Sequence, residues 1–315
     1  MGIELAERKK IRLRAAFEGP SGSGKTATGL LTLTALAKHY GGKVGVIDCQ
    51  HRQSLDYVGT RFAPDGFDVF HLISGTTEAM RNAVKQFSAT GQHSCLLIDS
   101  LSITWAGEGG LLDKSAEMGE GFSKWQELGK IQNKLLGDIL SCPMHVICTI
   151  QSKTEWVMSP TTNKAGKEVL EPVKVGMGPV QRKGIEYIFP LYCNFNMQHQ
   201  MTLTRINACE ALEGRIIDKP DASWTVPLIE WLDKGVADTT IKSVGRVATP
   251  DQVKEYYDLA TLSGTKRVEI DRMFLDKYAS EVGECTDEFL EERLKDLRAR
   301  FKKTKNTPPE VKELS

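Results

Sequence analysis

The chain has 315 residues, 40% hydrophobic and 26% charged, the profile of a globular protein of one large or two ordinary domains. Its 41 basic and 41 acidic residues cancel, which excludes coating of nucleic acid by bulk attraction and leaves only a local basic groove. Seven cysteines without a CxxC pair carry no zinc or redox signature. The opening MGIELAERKK has no signal-peptide core, and no apolar run approaches the roughly 18 residues of a membrane span; a reducing cytoplasm without membrane contact is expected.

In chain order, Ile11 to Phe17 alternates and ends at a glycine-rich loop, which predicts a first strand. Lys25 to Tyr40 is rich in Ala, Leu and Thr and stops at Gly41-Gly42, a helix with a glycine end. KVGVID, Lys43 to Asp48, and FDVFHL, Phe67 to Leu72, predict short strands. Thr77 to Ala89 has helical spacing. Ser94 to Ile98 is a nearly continuous apolar strand, Phe122 to Leu140 a long amphipathic helix, and His145 to Ile150 another buried strand. This βαβα rhythm predicts an α/β fold with a mostly parallel sheet flanked by helices.

Gln151 to Lys183, with three prolines and three glycines, then reads as a long loop or loose hairpin. Ile185 to Met197 and Gln200 to Ile206 read as strands, and Leu228 to Lys234 as a short helix. The predicted organisation is a core over 1–235, a linker over 236–248, a small helical module over 249–303 and a disordered charged tail over 304–315. Within the module, Thr249-Pro250-Asp251-Gln252 opens a helix with the apolar stripe Val253, Tyr256, Tyr257 and Ala260. Ile270, Met273, Phe274 and Tyr278 mark a second helix; Phe289, Leu290, Leu294, Leu297 and Phe301 mark a third.

The strongest chemical signal is Gly19-Pro20-Ser21-Gly22-Ser23-Gly24-Lys25-Thr26, continued by Ala27. Glycines let successive N–H groups turn inward around phosphate oxygens, and the following helix points its positive end at the same anion. Strand before and helix after complete the P-loop pattern. Lys25 is expected on the β/γ-phosphates of ATP and Thr26 on Mg²⁺. Asp99, ending the apolar strand, is the expected second metal-side oxygen, the Walker B position. Gln50 follows the KVGVID strand, where an acid would polarise the attacking water; an amide can orient water but cannot take its proton. Gln151, at the expected end of its strand, is placed to sense the γ-phosphate. Lys153, Lys164, Lys167, Lys174, Arg182 and Lys183, set against Glu155, Glu168 and Glu171 and interleaved with Trp156, suit single-stranded nucleic acid through phosphate pairing and base stacking.

GPSGSGKT, KVGVIDCQH, CLLIDSLS and HVICTIQSK, in that order, resemble the RecA-like ATPase core. With VGMGPVQRKGIEYIF and TLTRINACEALEG, the likeness over about residues 10 to 235 is to the phage-encoded RecA-like ATPases of the Sak annealing and recombination group. The helical tail looks like modules carried by phage annealing proteins. The resemblance implies a DNA-stimulated ATPase that binds single-stranded DNA with ATP and Mg²⁺ and promotes annealing or strand exchange. It implies homo-oligomeric rings or filaments with ATP between subunits, and a single-strand-binding protein as a further partner. It also implies that Arg182, Lys183 or Arg205 reaches a neighbour's γ-phosphate. Gln50 departs from the family, whose catalytic glutamate falls there. Either hydrolysis is slow and ATP acts as a switch, or the amide replaces an acid and traps ATP.

Two other classes compete. A small-molecule P-loop kinase needs an arginine-rich lid, and 105–121 is acidic and glycine-rich instead. A nucleotide-switched scaffold, like a helicase loader, would bind a protein rather than DNA, and Gln50 suits it.

Overall fold

The computed structural model describes residues 6–119, 121, 123–162, 168–236, 250–262, 266, 269–270, 290–291, 293–295 and 297–298. The chain divides into two compact units, Met1–Lys85 with Ser94–Ile241, and Gln86–His93 with Lys242–Ser315.

The first unit is an α/β sheet with helices, two of whose elements extend into Gln86–His93 of the second unit. Its elements are β1 Arg14–Gly19, α1 Lys25–Tyr40, β2 Lys43–Asp48, β3 Asp68–His71, α2 Thr77–Thr90, β4 His93–Asp99, α3 Ile103–Ala106, α4 Leu111–Glu117 and α5 Ser123–Ser141, then β5 His145–Thr162, β6 Glu168–Pro179, β7 Leu191–Phe195, β8 Gln200–Ile206, β9 Ile216–Asp218 and α6 Thr225–Asp233. The strand order is β3-β2-β4-β5-β1-β7-β8-β9, with β6 paired to β5 off that path. β2–β3, β4–β5, β5–β1 and β1–β7 are parallel; β7–β8, β8–β9 and β5–β6 are antiparallel.

Every residue of β4 is buried, which is why it reads as an unbroken apolar run. Phe17, Leu30, Leu33, Leu36, Leu97 and Ile147 belong to one core cluster that also takes in Trp224 and Trp231. A Cβ on Gly29 would meet Leu97 Cδ1 at 2.9 Å, so α1 packs closely on the sheet there. Behind β1, the Arg14 guanidinium donates to the carbonyls of Leu140 at 2.8 Å, Met144 at 2.6 Å, and Cys142. These are oxygens at the C-terminal end of α5 and beyond it, which have no helical partner of their own.

Several expected boundaries move, each for a local reason. β1 starts at Arg14 rather than Ile11, because the Ile11 N–H is taken by the Leu232 carbonyl at 3.1 Å and the Leu13 N–H by His145 Nδ1 at 3.1 Å. Ile185 to Met197 is not one strand: Gly184 turns left-handed into a 3-10 turn over Ile185–Tyr187, and Pro190 precedes the short β7. α6 begins three residues before the expected Leu228. Pro227 is tolerated there because first-turn N–H groups lack intrahelical partners.

The largest correction is to 151–183. β5 runs straight through Gln151 to Thr162 and returns as β6, an antiparallel ribbon from Ser152↔Pro179 to Thr162↔Glu168 with a register shift at Glu155/Trp156. Of the two readings, loop or hairpin, it is a long hairpin. β9, α3 and α4 were not expected, the last two lying within or just before the glycine-rich stretch 105–121.

In the second unit, α7 spans Pro250–Leu262, and Ala260, Ile270, Leu290 and Leu294 form a cluster with Val253, Tyr256, Tyr257 and Leu297 packed on it. Met273, Phe274, Tyr278, Phe289, Phe301 and the tail lie outside the described residues.

Candidate nucleotide site

The P-loop links the C-terminal end of β1 to the N-terminus of α1. Gly22 and Gly24 take φ of 78° and 95°, conformations that glycine adopts without steric cost. A Cβ on Gly19 would lie 2.7 Å from the Phe195 carbonyl and 2.8 Å from Ser23 Oγ, so the first glycine is required by crowding. The Lys25 ammonium folds back over the loop and donates to the Pro20 carbonyl at 2.7 Å. Burial pulls its pKa down, opposed by the charges of Asp99 and Glu18. A buried ammonium beside a glycine-rich turn at a helix N-terminus fits a multiply charged anion.

Asp99 is almost wholly buried at the end of β4. Thr26 Oγ1 donates to its Oδ2 at 2.8 Å, Thr149 Oγ1 to its Oδ1 at 2.5 Å, and Gln50 Nε2 to the same Oδ1 at 3.0 Å. Burial raises the Asp99 pKa; the Thr149 and Thr26 hydroxyls act against it, and the Asp48 charge adds to the rise. Thr26 and Asp99 therefore present two hard oxygens side by side, the donor set that Mg²⁺ takes together with phosphate oxygens. Among the described residues, no group of three or more His, Cys, Asp or Glu is placed to hold a metal. These two oxygens suit a cation that arrives with its phosphates.

Gln50 is positioned by Asp48, which accepts from the Gln50 N–H at 2.7 Å, the Ser54 N–H at 3.0 Å and the Ser54 hydroxyl. Asp48 thus holds the turn after β2. Gln151 is not a strand terminus, because β5 continues past it. Its N–H donates to Ser102 Oγ at 2.9 Å and its carbonyl accepts from Val180 at 2.7 Å, where the ribbon leaves the sheet.

A cleft of about 480 Å³ lies over the P-loop, lined by Ser21 to Thr28, Gln50 and Gln151 and by seven residues that no sequence motif singles out: Gln53, Tyr57, Arg61, Phe62, His199, Lys219 and Pro220. Tyr57 to Phe62 form one wall. His199 and Lys219 form the other, joined by the Lys219 N–H to the His199 carbonyl at 3.0 Å. Both have positive φ, 62° and 44°. His199 Nδ1 lies 3.3 Å from where a Gly24 Cβ would be. The one sequence signal for this wall is Asn196, whose Oδ1 accepts from Gln198 and Gln200 and so fixes the β7–β8 turn.

The remaining expected residues are dispersed. Arg205 lies on β8 opposite Tyr192, gives a 3.3 Å hydrogen bond to the Glu186 carbonyl, and does not line this chain's cleft. Arg182 is exposed beside Gly129 of α5, and Lys183 is exposed next to it. Lys153 stands opposite Gly178 near the foot of the ribbon, and Trp156 pairs in register with Lys174. Lys164 and Lys167 lie outside the described residues.

Next to the P-loop, the Glu18 carboxylate accepts from Tyr192 Oη at 2.8 Å and Asn194 Nδ2 at 3.2 Å. Burial raises its pKa against those hydrogen bonds. This acid escaped the sequence reading, which ended the first strand at Phe17, whereas the strand runs on through Glu18 to Gly19.

Compared with protein-family models and with curated proteins, the chain matches none. Among the described residues, no helix is long and apolar enough to cross a membrane.

Proposed function

We propose that the protein is a RecA-like, ATP-dependent single-stranded DNA-binding protein that promotes annealing or strand exchange. The observation that carries the reading is one juxtaposition. The P-loop, the Thr26–Asp99 oxygen pair and Gln151 meet at the C-terminal ends of parallel strands, and the strand bearing Gln151 continues outward as a ribbon carrying Lys153, Trp156 and Lys174. The order β3-β2-β4-β5-β1, with β5 between the P-loop strand and the Asp99 strand, supports the RecA-like assignment.

In this reading Lys25 and the loop N–H groups bind the phosphates of ATP, and Thr26 and Asp99 hold Mg²⁺. The bound metal and phosphates supply the charge and the scissile bond. Gln50 steadies Asp99 but has no basic site for a water proton, so turnover is slow and ATP acts chiefly as a switch. The neutral chain confines DNA contact to the ribbon and its foot. Assembly into rings or filaments in the cytoplasm, with a basic residue from a neighbour completing the site, belongs to the same reading.

The test is fluorescence anisotropy of a labelled single-stranded oligonucleotide across a salt series, with and without ATP-Mg²⁺, on wild type and Lys25→Ala. ATP-dependent binding that steepens in salt dependence and disappears in Lys25→Ala is expected. Absence of DNA binding in every nucleotide state would favour the second reading, a nucleotide-switched scaffold for a protein partner, which the amide at Gln50 also suits.

A further inference from the structure

A second cavity, of about 540 Å³, adjoins the nucleotide cleft, and Gln50 and Gln151 line both. Its size is that of a pocket for one small ligand or one unit of a polymer.

Hydrogen bonds and close packing hold its walls. On one side the turn after β2 is held by Asp48, and Cys49 donates to the Asp99 carbonyl at 2.6 Å. On the other, the segment from Ile103 to Gly110 is pressed onto Gly75. The Gly75 N–H donates to the Glu108 carbonyl at 2.8 Å, and a Cβ on Gly75 would fall 2.6 Å from that same oxygen. A Cβ on Gly107 would lie 2.4 Å from Ile103 Cγ1. Gly75 and Gly107 are therefore packing glycines that let the two segments meet at this wall.

The lining has two characters. His51 and Arg52, both exposed, stand at consecutive left-handed positions with φ of 53° and 69°, a backbone state that clusters at ligand sites. His71 adds a buried Nδ1 with no hydrogen-bond partner. Asp48 is occupied by the turn, which leaves Glu108 as the acid of the lining. Against these polar groups stand Ile103 and Ile73, the latter 80% exposed. Val180, at the foot of the ribbon, closes the remaining side, with Lys153 two residues beyond Gln151.

A row of basic groups beside apolar side chains matches a phosphate attached to a sugar and base. We propose that this cavity seats one nucleotide unit of bound single-stranded DNA, its phosphate on Arg52 and His51 and its apolar surface on Ile73 and Ile103. This rests on the DNA-binding reading and gives it a location. Gln50 and Gln151 touch both ligands, so occupancy of one cavity is felt in the other.

The test uses the full chain, fluorescein-labelled oligo(dT) and a non-hydrolysable ATP analogue with Mg²⁺. Arg52→Asn removes the charge while keeping a residue tolerant of positive φ. Ile73→Asp places a negative charge on an exposed site where folding is not at stake. Lys85→Ala, a charge loss at an exposed position elsewhere, is the control. Both cavity variants are expected to bind oligo(dT) about tenfold more weakly, and Arg52→Asn to lower the slope of log affinity against log salt by about one, while binding of a fluorescent ATP is unchanged. If wild type binds oligo(dT) and both variants behave like Lys85→Ala, the cavity assignment is overturned and the function stands. If wild type binds no DNA in any nucleotide state, the functional reading itself falls.

Discussion

Three donors converge on the Asp99 carboxylate, from Thr26, Thr149 and Gln50, yet burial still raises its pKa. A carboxyl with a raised folded-state pKa binds its proton more tightly folded than unfolded. It therefore lowers stability as pH rises from its unfolded value of 3.8 through the folded one, and at neutral pH the ionised group is a net cost. Asp99→Asn should raise the melting temperature of the nucleotide-free protein by a few degrees, the scale of about 1 kcal/mol in a domain of this size. The same variant should lose Mg²⁺-dependent nucleotide binding. Calorimetry with a parallel ATP titration checks both, and a lower melting temperature would show that the hydrogen bonds outweigh the burial of charge.

Gln50→Glu places a second carboxylate about where Gln50 Nε2 now lies, 3.0 Å from Asp99 Oδ1. Two acids that close share one proton, so the pair loses its last proton only at raised pH. Phosphate release should rise by roughly 10²-fold or more, the scale of general-base effects. The gain should grow with pH until the pair is deprotonated. A pH series of phosphate release reads this out, and turnover equal to wild type throughout would remove Gln50 from the hydrolytic position.

At the scale of elements, the ribbon separates from the sheet at a definable point. β5 pairs with β1 only up to Gln151, and beyond that only with β6. Replacing 155–176 by an Asn-Gly turn joined to the Thr154↔Met177 pair should leave folding and ATP binding intact and abolish oligonucleotide binding; this turn type suits a two-residue hairpin. Loss of ATP binding in that variant would make the ribbon part of the nucleotide site.

The ribbon also marks the limit of what the sequence revealed. Strands buried on both faces, β2, β4 and the first part of β5, appear as apolar runs, and the P-loop as a spacing of glycines; both are local patterns. Pro160 and Pro172 argued against strand, since proline cannot donate to a ladder. They fall on the same alternate set of pairs, opposite Leu170 and Met158, where the N–H of a two-stranded ribbon faces its open edge and none is needed. The site divides the same way. Lys25, Thr26, Asp99 and Gln50 were legible from their motifs. His199 and Lys219 reach the cleft only because β8 and β9 fold back beside β7, a juxtaposition no local pattern contains.

At the scale of the whole molecule, His145 links the first unit's stability to acid. Leu13 N–H donates to its Nδ1 at 3.1 Å, and the Arg12 guanidinium faces its Nε2 at 3.0 Å. Burial, then the Arg12 and Arg14 charges, push its pKa down from 6.5 to about 3. A histidine held neutral when folded contributes stability that is complete above pH 6.5 and is lost as pH falls from there toward 3. Asp99 and Glu18, with raised values, act in the opposite direction, so the comparison must be internal. Melting temperature should fall more steeply between pH 6.5 and 4 in wild type than in His145→Gln; parallel curves would assign the acid sensitivity elsewhere.

Gln50 and Gln151 belong to two cavities at once, and that shared wall has a thermodynamic corollary. If ATP tightens the grip on a single strand by some factor, the strand must tighten the grip on ATP by the same factor, because the two routes to the doubly bound state have equal free energy. Titrating a fluorescent ATP with and without saturating oligonucleotide should therefore return the ratio found when the oligonucleotide is titrated with and without ATP. On the proposed reading, that equality would make the pair of ligands, rather than either one, the signal to which the protein responds.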